Sequence, residues 1–425
     1  MVILLICITV LALLLGMPLF AGILAIAMVG FAAVEVDLMV VAVDMYRITQ
    51  TPLIEAIPLF TFAGYLLSGS RSSNRLVRLT QALLGWMPGG LAIVAFITCA
   101  LFTAFTGASG VTIVALGALL YPALQQAGYS QKFSLGLVTS SGSLGLLFPP
   151  SLPLILFGVI ALQLDLDTHM TIEQLLVAGL IPGALMILLL SVWSIWVQGH
   201  QPTTRQHFSF LELRRAIAAS RWELPLPIIL LGGIYSGYFA LSEAAVVTVV
   251  YLLIVEVWLY KDIKVSALPA LVTEAMVMVG GILLILSCSL VLTSYFVEIE
   301  APVALFEWIN QTIDSPLTFL LALNIFLLLL GAFLDIFSAI VIMVPLLLPI
   351  AISYGIHPVH LGIIFLANMQ IGYLTPPVGM NLFIASYRFE RPITEIYKAT
   401  LGFVVVLLVA LVLITYVPAL SLQFV

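Results

Sequence analysis

The sequence predicts an all-α, polytopic membrane protein whose two halves form an inverted repeat. Of the 425 residues, 63% are hydrophobic and only 8% are Asp, Glu, Lys or Arg, whereas soluble domains carry about 25% charged residues. The apolar runs have the length of membrane-spanning helices. Two stretches of the chain, each with a Pro-Pro pair, match without a gap. A soluble enzyme is therefore excluded, and the mean hydropathy of +1.25 agrees.

The apolar runs define the expected helices. A membrane helix needs about 20 apolar residues, and these runs are nearly continuous, unlike the short alternating strands of an outer-membrane barrel. Because the first basic residue is Arg47, the first run is expected to be a retained span rather than a cleaved signal. The runs lie at 3–32, 52–69, 88–106, 109–125, 133–163, 173–198, 223–240, 242–260, 273–297, 317–333, 337–353, 359–386 and 400–420.

The basic residues fall on one side of the membrane if 88–125 and 317–353 are re-entrant hairpins that return to the side they entered. With the N-terminus inside, 13 of the 14 Lys and Arg residues then lie in cytoplasmic loops, and only Arg47 lies outside. Turning either hairpin into a full span would scramble this sorting. The charges therefore predict both hairpins, a cytoplasmic N-terminus and a periplasmic C-terminus.

Two features of the loops leave alternatives open. Segments 71–87, 202–222 and 261–272 mix basic with apolar residues, so each is either an amphipathic helix at the inner interface or a plain cytoplasmic loop. His357 and His360 fall where the second hairpin meets the next helix, and a solvated surface position is expected for both.

The two matching stretches are separated by a constant offset of 227 residues. On the topology above, an odd number of crossings lies between them, so the copies have opposite orientations. Such inverted repeats are typical of secondary transporters. The identical positions are Pro122 and Pro349, Gly128 and Gly355, Gly145 and Gly372, Pro149 and Pro376, and Pro150 and Pro377.

The Pro-Pro pairs at 149–150 and 376–377 predict a broken helix in each copy, because proline lacks a backbone N–H and disfavours helix in the residue before it. Irregular backbone inside a membrane persists only where it is buried in protein or lines a cavity. Freed carbonyls suit a hard cation such as Na⁺, and a half-helix N-terminus suits an anion. The alternative is that each pair simply kinks a packed helix.

Asp335 is the ionisable residue of the predicted hairpins and breaks. A charge at the bilayer centre costs about 2.5–3.5 kcal/mol on insertion scales. Neither hairpin and neither broken helix contains Lys or Arg, which favours a bound cation as its partner. The alternative is an Asp that caps a helix through backbone N–H groups.

The residues that carry this pattern resemble the large membrane subunit of TRAP (tripartite ATP-independent periplasmic) transporters. The resemblance rests on TGASGVTIVALGALLYPALQQAGY and GSLGLLFPPS in the first half, and on LSEAA, GAFLDIFSAIVIMVPLLLPIAISYGIHPVHLGII and NMQIGYLTPPVGMNLFIAS in the second. It spans essentially the whole chain. It implies an elevator-type transporter that imports an organic anion, usually a carboxylate, with Na⁺ as the coupling ion and no organic cofactor.

The resemblance also implies partners and a division of the chain. The expected partners are a small four-span membrane subunit on a separate chain, a periplasmic substrate-binding protein and membrane lipid, with no nucleic acid. The expected location is a bacterial inner membrane. Segments 1–87 and 201–314 would form the scaffold. Segments 88–200 and 315–425 would form the transport domain, with hairpins 88–125 and 317–353 and broken helices 133–163 and 359–386.

Site residues follow from the resemblance by motif position. The first Na⁺ site would use Thr106, Gly107, Ser109, Ser141 and Gly145. The second would use Gly331, Asp335, Ser338, Asn368, Gly372 and Thr375. The substrate would lie near Ser109, Thr112, Ser151, Thr375 and Asn381.

The chain departs from the family pattern at one place. Many members carry an Ala-Asp pair shortly after a Ser-Gly-Ser turn, whereas this chain reads Thr106-Gly107-Ala108-Ser109 there, so the first copy has no acid. Two further readings stay open: a standalone anion/Na⁺ symporter or Na⁺/H⁺ antiporter of the same broad fold, and a membrane scaffold without transport. The first has few buried titratable groups to relay protons, and the second gives no reason for two broken helices.

Overall fold

The fold of the chain is entirely helical in a computed structural model, which describes residues 5, 8–9, 11–12, 17–50, 55–87, 89–164, 170–198, 208–236, 238–311, 313, 315–376 and 378–425. Within these residues, seven helical segments are long and apolar enough to cross a membrane, and several shorter apolar helices accompany them. The prediction of an all-α, polytopic chain is confirmed at this level.

The helices follow the predicted runs closely. The first half contains Leu19–Ala33, Met39–Arg47, Ala56–Gly69, Ser72–Leu84, Gly90–Thr106, Ser109–Ala115, Gly117–Gln126, Gln131–Ser141, Leu152–Gln163, Ile172–Ala178 and Leu180–Gln198. The second half contains Phe210–Ala219, Pro225–Tyr235, Leu241–Leu253, Leu268–Glu298, Ala301–Asn310, Pro316–Phe333, Ile336–Ser353, Pro358–Gly372, Met380–Phe389, Ile393–Tyr416 and Ala419–Leu422. Short 3₁₀ turns lie at Ile48–Gln50, Leu144–Leu147 and Val265–Ala267, and a π-helical turn at Ile254–Leu259.

Each predicted hairpin is a pair of helices joined by a two-residue turn. In hairpin 1, the arm Gly90–Thr106 ends at Gly107, whose φ of +66° suits glycine, and the second arm starts at Ser109. In hairpin 2, the arms Pro316–Phe333 and Ile336–Ser353 are joined by an extended residue and a helix-capping residue.

Each predicted broken helix is interrupted beside its Pro-Pro pair. Helix Gln131–Ser141 gives way to a 3₁₀ turn, and helix resumes at Leu152 after Pro149 and Pro150. In the second copy, helix Pro358–Gly372 ends before Pro376, and helix resumes at Met380. Pro377 lies outside the described residues.

The two copies interlock reciprocally. Helix Leu152–Gln163 of the first copy packs against Ile336–Ser353, the second arm of hairpin 2. Helix Met380–Phe389 is its equivalent in the second copy. This helix packs against Ser109–Ala115, the start of the second arm of hairpin 1. At the centre, the hydroxyl of Ser143 donates to the carbonyl of Gln370 at 3.3 Å, and these two positions are equivalent in the repeat. Reciprocal contacts of this kind are the signature of a two-fold relation between the copies.

Glycine permits the same close contact in both copies. A Cβ on Gly145 would lie 2.5 Å from the backbone nitrogen of Ala104 in hairpin 1. A Cβ on Gly372 would lie 2.6 Å from the Cα of Gly331 in hairpin 2. Ala104 and Gly331 are again equivalent at the 227-residue offset. Each helix break is therefore held against the first arm of its own hairpin with no room for a side chain.

A buried ion cluster fixes helix Ser72–Leu84, which packs against the first arm of hairpin 1. The Arg75 guanidinium contacts Glu223 at 2.6 Å, Glu256 at 3.1 Å and Asp262 at 2.5 Å, and its side chain is only 13% exposed. The ring of Tyr260 lies 3.9 Å from the guanidinium carbon. One cation thus joins helix Ser72–Leu84 to Glu223 and to the neighbouring pair Glu256 and Asp262, both more than 140 residues later in the sequence.

The structure resolves both open features of the loops. Segments 72–84 and 210–219 are helices, whereas 261–272 forms no separate helix: it is a 3₁₀ turn that leads into the long helix Leu268–Glu298. The surface position expected for His360 is wrong, because the side chain is 3% exposed and its Nε2 lies 3.2 Å from the carbonyl of Thr415. His357 caps the following helix through Val359 N–H.

We expect Gly145→Ala to lower the free energy of unfolding by about 1–3 kcal/mol, the usual range for overpacking a tight contact, because the new methyl group meets backbone atoms of hairpin 1. Thermal unfolding in detergent measures the change. Gly281→Ala is the control, since no neighbouring atom lies within 4 Å of a Cβ there. Equal stability of the two variants would contradict the proposed close contact.

We expect Arg75→Gln to destabilise the protein by about 3–5 kcal/mol, because it leaves buried carboxylates without their cation. Burial raises the pKa of Glu223 even with Arg75 present. Its protonated form is favoured in the folded state, so the loss should be smaller at pH 5 than at pH 8. Denaturation across this pH range measures it.

The matched control for that change is Arg78→Gln. Arg78 pairs with Glu212 at 2.6 Å, but both side chains are exposed, so removing this pair should cost less than about 1 kcal/mol. A similar loss in both arginine variants, or a loss that does not depend on pH, would show that the buried cluster is not the source of stability.

Candidate functional site

The tip of hairpin 1 is tied to the first helix break by hydroxyl groups. The hydroxyls of Thr103 and Thr112 lie 2.6 Å apart, and Thr103 donates to the carbonyl of Gly142 at 2.8 Å. The hydroxyl oxygen of Thr106 is buried and has no hydrogen-bond partner in the described part of the chain. A buried unpaired oxygen of this kind is costly unless a ligand satisfies it.

The remaining predicted residues of the first site line the same region. Ser109 is buried, and a Cβ on Gly142 would lie 3.3 Å from its carbonyl oxygen. Ser141 donates to the carbonyl of Val138 at 3.2 Å, and Ser151 donates to that of Leu146 at 2.5 Å. Each hydroxyl oxygen keeps lone pairs that can accept from, or coordinate, a ligand.

The tip of hairpin 2 is organised by Asp335, which is the N-cap of helix Ile336–Ser353. Its Oδ1 accepts from the N–H groups of Phe337 at 3.0 Å and Ser338 at 3.1 Å, and its Oδ2 accepts from the hydroxyl of Ser338. The capping alternative for Asp335 is thus observed. These N–H groups do not neutralise the negative charge of the Asp335 carboxylate. The carboxylate can therefore cap the helix and bind a cation at the same time.

The first copy places Ala108 where the second places Asp335. Both residues are N-caps with extended backbone at the same repeat position, but Ala108 offers no side-chain cap. The two hairpin tips therefore share a backbone design and differ in charge.

The second helix break wraps around the tip of hairpin 2. Gly379 N–H donates to the carbonyl of Ala332 at 3.0 Å, and Ile336 N–H donates to the hydroxyl of Tyr373 at 2.6 Å. Thr375 donates its hydroxyl to the carbonyl of Ile371 at 3.0 Å. These bonds hold the break and the capped tip as one unit.

Asn381 is the clearest candidate ligand-binding residue. Its side chain is 0% exposed, and among the described residues neither Oδ1 nor Nδ2 has a hydrogen-bond partner. The helix that carries it packs against the Ser109–Ala115 segment of hairpin 1, where a Cβ on Gly110 would lie 2.7 Å from the Cδ1 of Ile384. Asn381 thus lies on the helix that brings the second break next to hairpin 1.

Asn368 is engaged differently from Asn381. Its Nδ2 donates to the Oδ1 of Asn324 at 2.7 Å and to the carbonyl of Ile364 at 2.8 Å. Asn324 in turn donates to the hydroxyl of Thr415 at 3.0 Å. Only the Oδ1 of Asn368 is buried without a partner, so a single atom of this amide is available to a ligand.

At each hairpin tip the structure brings part of the predicted set together. In the second copy, a Cβ on Gly372 would meet Gly331, and Asp335 accepts from Ser338. Asn368 instead bonds Asn324, 11 residues before Asp335 on the first arm of hairpin 2.

Sequence reasoning left Thr103, Asn324 and Tyr373 out of these sites. Asn324 could have been identified from the sequence, since it is the one amide side chain in the apolar helix Pro316–Phe333. The role of Tyr373 had no such signal, because its hydroxyl meets a backbone N–H 37 residues away.

Comparison with solved structures places the fold. The crystal structure of the YdaH transporter of Alcanivorax borkumensis matches with a TM-score of 0.65 at 14% sequence identity, over 90% of this chain and 88% of that one. The chain is thus an all-helical, multi-span membrane protein with the fold of that transporter.

Sequence comparisons give the family. A family model described as "Tripartite ATP-independent periplasmic transporter, DctM component" matches residues 2–420. The C4-dicarboxylate TRAP transporter large permease proteins DctM of Pseudomonas aeruginosa and Rhodobacter capsulatus are 34% and 33% identical; the alignments cover 90% and 96% of this chain, and 88% and 94% of those proteins. The chain belongs to the DctM component family of TRAP transporters and is a transporter subunit, not an enzyme.

Other relatives differ from these two proteins in name and in length. The sialic acid TRAP transporter permease protein SiaT of Haemophilus influenzae is 30% identical over 88% of this chain and 60% of that protein. The isethionate TRAP transporter permease protein DctMQ of Oleidesulfovibrio alaskensis is 33% identical over 87% of this chain and 58% of that protein. Some members of the family thus join the M and Q components in one chain.

We expect Asn381→Leu to leave the free energy of unfolding unchanged or to raise it. The substitution removes two buried polar atoms that lack partners, each of which costs about 1–3 kcal/mol. Asn368→Leu is the control, because it removes hydrogen bonds to Asn324 and Ile364. It should lower the free energy of unfolding by about 1–3 kcal/mol. Thermal unfolding distinguishes them. If Asn381→Leu destabilised as much as Asn368→Leu, the side chain of Asn381 would have a partner within the protein.

Proposed function

We propose that the chain is the large membrane subunit of a Na⁺-coupled importer of an organic anion, a carboxylate, in a bacterial inner membrane. A periplasmic binding protein delivers the solute, and a small four-span membrane subunit on a separate chain completes the transporter. Family membership supports the tripartite arrangement. The names of relatives, which include C4-dicarboxylate and sialic acid, support a carboxylate.

The observation that carries the proposal is a set of buried side-chain oxygen atoms that have no hydrogen-bond partner among the described residues. They lie at the tip of hairpin 1 and on the two helices that flank the second break. They include Thr106 Oγ1, Asn368 Oδ1 and Asn381 Oδ1. Neutral hydroxyl, amide and carbonyl oxygens suit a hard monovalent cation at a broken helix. One Na⁺ would be held by Thr106, Gly107, Ser109, Ser141 and Gly145, and another by Gly331, Asp335, Ser338, Asn368, Gly372 and Thr375.

Coupling then follows from charge. Neither hairpin nor either broken helix carries Lys or Arg, so no fixed cation is available to a carboxylate there. Bound Na⁺ supplies the positive charge and orders the tips. Asn381 Nδ2 and the hydroxyl of Ser109 then donate to the carboxylate oxygens. The hydroxyls of Thr112, Ser151 and Thr375 do the same by turning away from the backbone carbonyls that now accept from them. The anion binds well only after the ions, which is the requirement for symport.

Movement of the site follows from the interlocked repeat. Each hairpin packs on a half-helix of the other copy, so hairpins 88–125 and 317–353 and broken helices 133–163 and 359–386 would move as one transport domain. Segments 1–87 and 201–314 would form the static scaffold. In this elevator arrangement the hairpins are re-entrant, the N-terminus is cytoplasmic and the C-terminus periplasmic.

We expect Asp335→Asn to reduce Na⁺-driven uptake at least tenfold in proteoliposomes that contain the chain, its small subunit and a binding protein loaded with succinate. Asparagine is as good an N-cap as aspartate, so the helix start is retained while the charge that attracts Na⁺ is lost. The Na⁺ dependence of uptake, measured over a range of inward gradients, checks this.

Asp37→Asn is the matched control. Asp37 also accepts an N–H two residues ahead, that of Met39 at 2.9 Å, but it is exposed and belongs to neither hairpin. Unchanged Na⁺ dependence in Asp335→Asn would overturn the role of Asp335. Uptake by the parent that needs no binding protein would indicate a standalone symporter, and proton flux without solute would indicate an antiporter.

A further inference from the structure

A cavity of about 250 Å³ lies outside the two hairpin-tip sites. Its walls come from the long helix Leu268–Glu298 on one side, and from helices Leu152–Gln163 and Ile336–Ser353 on the other. Its volume is close to the lower limit of about 300 Å³ for small-molecule pockets. The cavity therefore has room for a small organic solute.

The lining of the cavity is polar on the side of the long helix and carries one charged group. Ser289, Thr293 and Ser294 supply hydroxyls, Gln163 supplies an amide, and Arg47 is the one ionisable residue among the described lining residues. The Ser289 hydroxyl also donates to the carbonyl of Val341 at 2.6 Å, which ties the two walls together. An arginine beside hydroxyl and amide groups is the chemistry that recognises a carboxylate.

Arg47 is also the single exception to the charge sorting of the sequence. The other 13 basic residues fall in predicted cytoplasmic loops, whereas Arg47 is predicted to face outside. Its side chain is 61% exposed, and its Nη1 lies 3.5 Å from Oδ1 of the buried Asp44. An exposed guanidinium thus borders the cavity, on the side that the charge sorting predicts to face outside.

We infer that this cavity is an outer vestibule that captures an organic carboxylate through Arg47 before the solute reaches the hairpin tips. The inference rests on the proposed function for its direction of transport. In that scheme one wall belongs to the scaffold and the other to the transport domain. The vestibule therefore lies along the boundary across which the two would slide. Attraction by Arg47 raises the local concentration of the anion.

A charge-selective labelling experiment tests the vestibule without requiring transport. Ser294→Cys places a thiol in the cavity lining, and its rates of reaction with anionic sulfonatoethyl and cationic trimethylammonioethyl methanethiosulfonate are compared in the purified chain. The control thiol is Ser353→Cys, at an exposed helix end. We expect the anionic-to-cationic rate ratio to be about tenfold higher at Ser294→Cys. Adding Arg47→Gln should abolish the difference, and millimolar succinate should slow labelling only when Arg47 is present.

Two further variants separate attraction from a structural role. Arg215→Gln removes an exposed predicted cytoplasmic charge and should leave the ratio unchanged. Asp44→Asn removes the acid next to Arg47 and should retain or increase the preference for the anionic reagent. Equal ratios at both thiols, or loss of the preference in Asp44→Asn as in Arg47→Gln, would overturn the inference.

Uptake distinguishes failure of this inference from failure of the proposed function. In proteoliposomes, Arg47→Gln should raise the half-saturating concentration of loaded binding protein severalfold with little change in maximal rate, and Arg47→Lys should restore most of it. An unchanged half-saturating concentration in Arg47→Gln would contradict the vestibule and leave the proposal of Na⁺-coupled import standing. Charge-selective labelling of a chain that transports no carboxylate would support the vestibule and contradict the import proposal.

Discussion

The close contact between each helix break and the first arm of its hairpin is the constraint on which the rest of the structure depends. Lipid offers no hydrogen-bond partners, so an interrupted helix must be enclosed by protein. Gly145 and Gly372 allow this enclosure, because any side chain there would meet backbone atoms of the adjoining arm. Once the breaks are enclosed, the hairpin tips and the half-helices converge, and polar residues that would otherwise face lipid are collected in two buried groups.

The two groups are alike in backbone and unlike in charge. Asp335 caps its helix with three hydrogen bonds, two of them from backbone N–H groups, whereas Ala108 occupies the same position in the first copy without a side-chain cap. In the proposed scheme, a cation at the second tip would meet a carboxylate, while a cation at the first would meet only neutral oxygens such as Thr106 Oγ1. The first ion would then be the more weakly held of the two.

Much of the fold could be predicted from the sequence because apolar runs, proline pairs and the 227-residue register are local signals. The hairpin and break positions agree with the helix bounds to within a few residues. Long-range polar contacts could not be predicted in this way. Asn368 meets Asn324, 44 residues earlier, and Arg75 meets Glu223, 148 residues later. The burial of His360 could not be predicted for the same reason. Its ring meets the carbonyl of Thr415 in the interior, 55 residues later in the sequence.

The contact between Ser143 and Gln370 has a consequence for the origin of the chain. In an antiparallel homodimer of half-length subunits with this geometry, a residue on the two-fold axis would meet its own copy. Any substitution there would change both sides of the contact at once, and a serine–glutamine pair could not form. Fusion of the two halves removes that restriction, since each side can then mutate alone. The unlike residues at positions 143 and 370, and the acid present at only one hairpin tip, are differences that a homodimer of identical halves could not have.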